Sequence, residues 1–514
     1  IAAKMTDVPG HTRSIIDPMY DAGIRLLHVG INSACPLPSV PTFCRWRSPS
    51  GNDLLLVYQK DYGEDEVLPD GKTVVSINFT GDNHGPHSYE RVKKIYADLR
   101  KRYPQAQLVG ASFNDVAREL LLIKKDLPVV TSEIGDTWIF GYGGAPIRMA
   151  KFRAVSRLYS QWLNEGKIKK DSDVALDFAA ELGLIAEHTQ GVDVKTHLRQ
   201  WDKYDMDKFL KGRSEGVFSM AEASWKEIDN YIDSAIAFLP ASLQKEAREV
   251  VAEVDKVKLE DNSKMKPMAR KRWEQPIAGG MTLAGLSYQM FDGDDYDDFQ
   301  NRYLRARYEW ALDDLGKRGL KESHAVSVTL YAQTMAQSVR KEKKGTRIIT
   351  ELRFPENEKV DKRVYPERIQ VNCFTTKNGK RSEVALTIYG KPAVRLPESY
   401  WLSFTVPGIE LVIAEKMGER VNLMDVVEKG NRQMHGIDRY VDLITSGETI
   451  RISSKEAFLL NVGEAQGLNY STNYPDKRKG VHFNLNNNLW GTNFSMWNEG
   501  SLTYHFVIET LSRK

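Results

Sequence analysis

At 514 residues the chain is too long for one hydrophobic core, which sets an expectation of about two to four domains. Its 72 basic and 69 acidic side chains leave a formal charge of +3, a balance that argues against a nucleic-acid partner or an anionic-membrane partner. No apolar run approaches the roughly 20 residues of a membrane-spanning helix, and three cysteines without CxxC spacing do not make a disulfide framework. Those cysteines, Cys35, Cys44 and Cys373, leave the compartment open, cytoplasmic or exported.

The chain begins on a strand-like run, residues 1–6, with neither a cap nor a leader. A strand at the first residue, which is Ile rather than Met, sets the expectation that structure belongs before it and that this is the C-terminal portion of a longer protein. "DVPGHT" follows: Asp7 ends the strand, and the Pro9-Gly10 step forces a tight turn. A carboxylate so placed serves as nucleophile, base or metal ligand, or else caps the helix expected near Arg13.

Residues 24–31, 53–59 and 73–79 read as short buried strands, and 106–112 as another. Between them "YERVKKIYADLRKRY" places Val92, Ile95, Tyr96, Leu99 and Tyr103 at helical spacing, and "FNDVARELLL" is helix-like. Strand–helix alternation predicts a parallel α/β sheet or barrel, whose chemistry sits on loops after the strand ends. Asp7 falls there, and so does Gly81-Asp82-Asn83-His84-Gly85-Pro86-His87, where two imidazoles and a carboxylate can move protons or bind metal.

In "EIGDTWIFGYGGAPIRMAKFRAVSR", Glu133, Asp136, Trp138 and Tyr142 mix carboxylates and rings, as a sugar site or a structural loop would. The pattern is then helical from about 147 to 262, and "SWKEIDNYIDSAIAFL" sets Trp225, Ile228, Ile232, Ala235 and Leu239 along one stripe. Within this region "AELGLIAEHTQGVDVKTH" brings Glu187, His188, Asp193 and His197 to a helix end, as metal ligands or as capping and core residues. The charged stretch 254–276 reads as a linker. Beyond it the texture is β, with Asn378-Gly379 between two alternating runs as a hairpin signal, and one or two β-sandwich modules are expected. Ten Trp, 22 Tyr and 18 Phe suit a saccharide cleft and core filling equally.

Taken in order, these segments resemble the catalytic domain of glycoside hydrolase family 38, the retaining α-mannosidases. "DVPGHT" is similar to the family's D-P-F-G-H-S, and "FCRWRSPSGNDLLLVY" to its F-x-W-x-G-x-D-G segment. "INFTGDNHGPHS" stands where the family has its G-D-D-F-R acid loop. "EIGDTWIFGYGGAPIRMAKF" resembles G-D-F-F-x-Y…R-P-x-x-K, "LIAEHTQGVDV" resembles H-H-D-A-x-S-G-T, and "NNLWGTNFSMWNEG" resembles a late β-domain motif. The resemblance implies a multidomain α/β + α + β chain. Residues 1–146 would be the C-terminal part of a seven-stranded α/β barrel, 147–275 a helical bundle and linker, and 276–514 the β-sandwich region.

It also implies a metal-dependent retaining α-glycosidase acting on an oligo- or polysaccharide, with Zn2+ as the ion and another divalent cation as the alternative. Asp7 would be nucleophile and ligand, and His188 a second ligand. The acid position falls on Asn83, leaving Asp82 or His84 for that role. His11, Asn83, Asp136, Trp138, Tyr142 and Asp193 would contact the sugar. Thr189 stands where the family has an Asp after its zinc-binding His, and the H-x-D pair that completes the family's metal site has no counterpart in the chain. Two further functions are compatible with these residues: a metal-dependent carbohydrate deacetylase, and a carbohydrate-binding protein that has lost its acid. Neither a nucleic acid nor a membrane is expected as partner, and the oligomeric state is open.

Overall fold

The computed structural model describes residues 1–81, 84–261, 263–491 and 493–511. The N-terminal strands are β1 (Ala2–Asp7), β2 (Leu26–Ile31), β3 (Phe43–Arg47), β4 (Asp53–Gln59), β5 (Asp65–Val67), β6 (Val74–Ser76) and β7 (Val129–Val130). Five of them form an open sheet in the order β1-β2-β4-β3-β7, parallel except that β3 runs antiparallel to β4. β2 and β4 are buried almost throughout, as their unbroken apolar runs dictate for strands covered on both faces. Asp7 pairs in register with Ile31, so β1 ends level with the C-terminal end of β2.

The run at 73–79 forms only the short β6, paired with β5 outside the main sheet. The segment 106–112 is no strand; Val109 is exposed, and Ser112 instead joins Asp115 in a capping box. The helices here are α1 (Ile16–Asp21), α2 (Tyr89–Arg102) and α3 (Phe113–Leu122). Of the expected stripe on α2 only Leu99 is buried. That helix lies at the margin, tied to β5 by Arg102 and Tyr103, both on Asp65, instead of by an apolar face.

The next helices are α4 (Pro146–Asn164), α5 (Asp173–Gly183), α6 (Val194–His197), α7 (Met206–Ser214), α8 (Ser219–Ala237) and α9 (Ala241–Asp255). Trp225, Ile228, Ile232, Ala235 and Leu239 are all buried, as the spacing requires. Their region has its own core, in which Trp162 and Phe178 pack with Ile232 and Ile236. No helix among the described residues is long and apolar enough to cross a membrane. The charged stretch that follows is not simply a connection, because Lys266–Pro267 and Gln275–Pro276 each pair as a short strand with a β-sheet.

The remainder is dominated by two antiparallel sheets, with α10 (Gly293–Tyr303) and α11 (Glu309–Asp314) between early strands. One sheet has seven strands and is centred on Thr282–Met290, Glu398–Thr405 and Val481–Asn487. The other has ten and includes the hairpin Arg368–Thr376 and Arg381–Lys391, joined at Asn378-Gly379 as expected. Phe404 and Phe483 of the first sheet meet Phe506 of the second at 5.4 and 5.1 Å, within one shared core.

Three sets of buried polar contacts fasten these parts together. Arg153 of α4 donates to the carbonyls of Ile437, Asp438 and Lys455 in the β region. Glu133, 3% exposed, accepts from Thr12 and Arg13 after the opening turn and pairs with Lys416 of the ten-stranded sheet at 2.7 Å. Lys391 and Glu398 form a second buried pair at 2.5 Å.

Candidate active site

Asp7 leaves its strand at φ 93°, a conformation that a residue with a Cβ adopts only at a cost. Asn32, just past β2, holds that geometry from two sides. Its backbone N–H donates to the Asp7 carbonyl at 2.8 Å, and its side-chain amide donates to Asp7 Oδ1 at 2.9 Å. The Tyr62 hydroxyl donates to the same oxygen at 2.6 Å. Gly30 explains how Tyr62 gets there: a Cβ at that position would lie 2.8 Å from the Tyr62 Cα, so only glycine lets the segment after β4 cross β2 so closely.

On the other side, His188 Nε2 lies 3.1 Å from Asp7 Oδ2, although 181 residues separate the two in sequence. His188 Nδ1 in turn lies 2.5 Å from Glu187 Oε1. With both ring nitrogens facing carboxylate oxygens, the imidazole donates to both only when doubly protonated. Burial works to raise the Asp7 pKa, but the hydrogen bonds from His188, Tyr62 and Asn32 outweigh it and hold the carboxyl below its ordinary range. Asp7 is therefore an ionised, oriented and largely buried carboxylate.

The helix after the turn is capped by Thr12, whose hydroxyl accepts from the Ser14 N–H, so capping is not the task of Asp7. His11 is bridged by backbone hydrogen bonds to Ile134; its Nδ1 lies 3.2 Å from the Pro9 carbonyl, and its buried Nε2 has no partner among the described residues. Burial lowers the pKa of that imidazole.

Several of the residues expected at the sugar are packed around the site by contacts of their own. Asp136 is 7% exposed and accepts from the Trp138 N–H and the Tyr303 hydroxyl, and burial pushes its pKa up to about 6. A Cβ on Gly10 would come within 2.8 Å of the Asp136 Cβ, so the opening turn rests directly on this residue. Trp138 is stacked on Trp490 and presents its edge to the His188 ring, with centroids 6.1 Å apart. The Tyr142 hydroxyl donates to the carbonyls of Ala186 and Glu187, fixing the backbone that carries His188. Asp193 caps α6 through the Lys195 N–H and also holds Thr196 and the Lys195 ammonium.

His84 is exposed, with its ring against Gly81, and shares no hydrogen bond with Asp7 or His188. His87 Nε2 lies 3.0 Å from the Asn78 carbonyl. Asp82 and Asn83 lie outside the described residues. Phe79 packs its ring on Tyr62 with centroids 5.3 Å apart.

Asp314 has no counterpart among the expected residues. It ends α11, pairs with Lys195 at 2.9 Å and lies near enough to Asp7 for the two carboxylates to repel. Burial pushes its pKa up to about 6. No motif marks it, and the only sequence signal is the Asp313-Asp314 doublet in a helix end otherwise rich in apolar residues.

Asp7 Oδ2 and His188 Nε2 are placed to share one cation, with Glu187 orienting the imidazole from behind. Protein sites for catalytic zinc supply about three ligands. Among the described residues no group of three His, Cys, Asp or Glu side chains gathers to hold a metal, so these two donors do not complete a zinc site by themselves.

A family model for a domain of unknown function (DUF5054) matches residues 143–275. No curated protein matches the chain. Among solved structures, an alpha-mannosidase from Enterococcus faecalis V583 is 9% identical, with the match covering 99% of this chain and 74% of that one at a TM-score of 0.50. A protein in the glycosyl hydrolase family 38, also from Enterococcus faecalis, is 10% identical over 98% of this chain and 72% of its own, with a TM-score of 0.42. At 9% identity the first likeness is one of fold: helices and large antiparallel sheets built onto an α/β sheet, as in that alpha-mannosidase.

Proposed function

We propose that the chain acts as a retaining α-glycosidase of the α-mannosidase type on oligo- or polysaccharides. The observation that carries this reading is Asp7: a carboxylate at a strand end, kept ionised by three hydrogen bonds and fixed in orientation by Asn32 and Tyr62. Those are the requirements of a glycosidase nucleophile. In the first step an Asp7 oxygen bonds to the anomeric carbon while the glycosidic C–O bond breaks, and an acid protonates the departing oxygen. In the second, water replaces Asp7 at the sugar as the same acid, now a base, takes its proton.

Asp314 is the described carboxylic acid suited to proton transfer, its pKa raised by burial so that part of it stays protonated near neutral pH. Metal dependence would require a donor besides Asp7 and His188.

The test is hydrolysis of an aryl α-mannoside by the wild type and Asp7→Asn, with bound metal quantified in both. The variant should lose activity by at least about a thousandfold. Undiminished hydrolysis by Asp7→Asn would overturn the assignment. The alternative of a non-catalytic saccharide-binding protein draws on Asn83 at the family's acid position. It would be favoured by saccharide binding without turnover in the wild type.

A further inference from the structure

A cavity of about 20 Å³ lies where the end of α11 and the following turn meet residues 194–204 and Arg395. Four cationic side chains line it, Lys195, Lys317, Arg318 and Arg395, with two carboxylates, Asp313 and Asp314. The carboxylates are already engaged: Lys195 is 2.9 Å from Asp314, and Arg318 is 3.1 Å from Asp313. Among the described residues this leaves Lys317 and Arg395 without a carboxylate within 4.0 Å.

Arg395 is 2% exposed, and its Nε is buried without a partner. Its guanidinium donates to the Trp201 carbonyl at 3.2 Å and lies over the rings of Tyr204 and Phe218, at 4.1 and 5.1 Å. Since arginine keeps its proton, this is a permanent buried charge whose direct contacts are a carbonyl and two ring faces, with the Asp202 carboxylate acting only from farther away, an expensive arrangement without a contacting counterion. Lys317 Nζ donates to the Trp490 carbonyl at 2.8 Å. Burial, with Arg395 adding to it, lowers the Lys317 pKa to about 7, as expected for an ammonium that has a second cation beside it and no acid.

We propose that this cavity is an oxyanion site, in which Lys317 and Arg395 together bind one phosphate or carboxylate group. The planar guanidinium offers the paired donors that match an oxyanion, and the ammonium adds a point charge. The cavity is too small for a sugar ring and suits a single anionic group. Asp314, which borders the cavity, is held by Lys195 at 2.9 Å. The anion is either free or a substituent on a saccharide.

The experiment reads binding without turnover, so it stands apart from the glycosidase reading. Inorganic phosphate and acetate are titrated at an ionic strength held constant with chloride, with thermal unfolding and calorimetry as readouts, for the wild type and Lys317→Met. Phosphate or acetate should raise the melting temperature of the wild type beyond the chloride control, and Lys317→Met should weaken binding at least tenfold. On the unaltered protein, either anion should slow acylation of Lys317, read by peptide mass spectrometry, at least tenfold. A hexose 6-phosphate that binds tenfold more tightly than phosphate identifies a saccharide substituent, and equal affinity identifies a free anion. No anion-specific shift, equal affinity in Lys317→Met, or unprotected acylation would each overturn the proposal.

Discussion

Removing the Tyr62 hydroxyl tests the claim that hydrogen bonds keep Asp7 ionised. In Tyr62→Phe the ring stays packed against Phe79 while the 2.6 Å hydrogen bond to Asp7 Oδ1 is lost. A hydrogen bond to a charged group contributes about 1.5–3 kcal/mol, against about 0.5–1.5 for a neutral pair. The side chain of Asp7 is 19% exposed and Asn32 stays on the same oxygen, so the lower half of the charged range, about 1.5–2 kcal/mol, is expected at pH 7.

The same change in an Asp7→Asn background meets a neutral partner. The double-mutant cycle, read by urea unfolding, should therefore show a coupling of about 1 kcal/mol. The sign with pH follows from linkage. The folded-state pKa of Asp7 lies below its unfolded value of about 3.9, so its stabilisation is present above that value and is lost as pH falls through the folded pKa. The deficit of Tyr62→Phe should accordingly be full at pH 7 and shrink in acid. A coupling below about 0.3 kcal/mol, or a deficit unchanged in acid, would refute the reasoning.

Three further predictions concern other parts of the structure. Gly10→Ala puts a Cβ 2.8 Å from that of Asp136 and 3.1 Å from its backbone nitrogen, which cannot yield as a flexible side chain would. It should cost about 1–3 kcal/mol in denaturant unfolding. If Asp314 is the acid, the rate of the wild type should fall as pH rises through about 6, and Asp314→Asn should abolish that limb while leaving the fold intact by circular dichroism. Glu398→Gln leaves the Lys391 ammonium buried without its carboxylate and should cost about 3–5 kcal/mol by urea unfolding; a loss under about 1 kcal/mol would mean that water reaches the pair.

The fold was legible where local chemistry decides it. The Asn378-Gly379 turn and the buried stripe on α8 follow from turn preference and helical period, without reference to anything distant. Where apolar residues alone were the guide, tertiary context prevailed. Val109 has no sheet to join, and α2 rests on Asp65 through polar contacts that no apolar period reveals. At the site, residue types and family order single out Asp7 and His188, and the structure brings these two together. Asn32, Tyr62 and Asp314 were invisible because they reach the site through strand register, the close crossing at Gly30 and the path of α11. Asp136 and Trp138, expected as sugar contacts, are buried with partners of their own, and acidic and aromatic residues serve in cores as well as in saccharide clefts, so composition alone does not separate the two roles.

Asp7 belongs to the sheet that opens the chain, whereas His188 belongs to the helical region, where Tyr142 pins its backbone. The Asp7–His188 contact is thus also a seam. Anything that binds across both side chains adds its binding free energy to the adhesion between the two regions, about 2.7 kcal/mol at a hundred times its Kd. Loosening the seam anywhere, even at Tyr142, weakens the ligand by the same measure that the ligand tightens the seam. Protection of the 183–193 segment from proteolysis would then serve as an assay of occupancy.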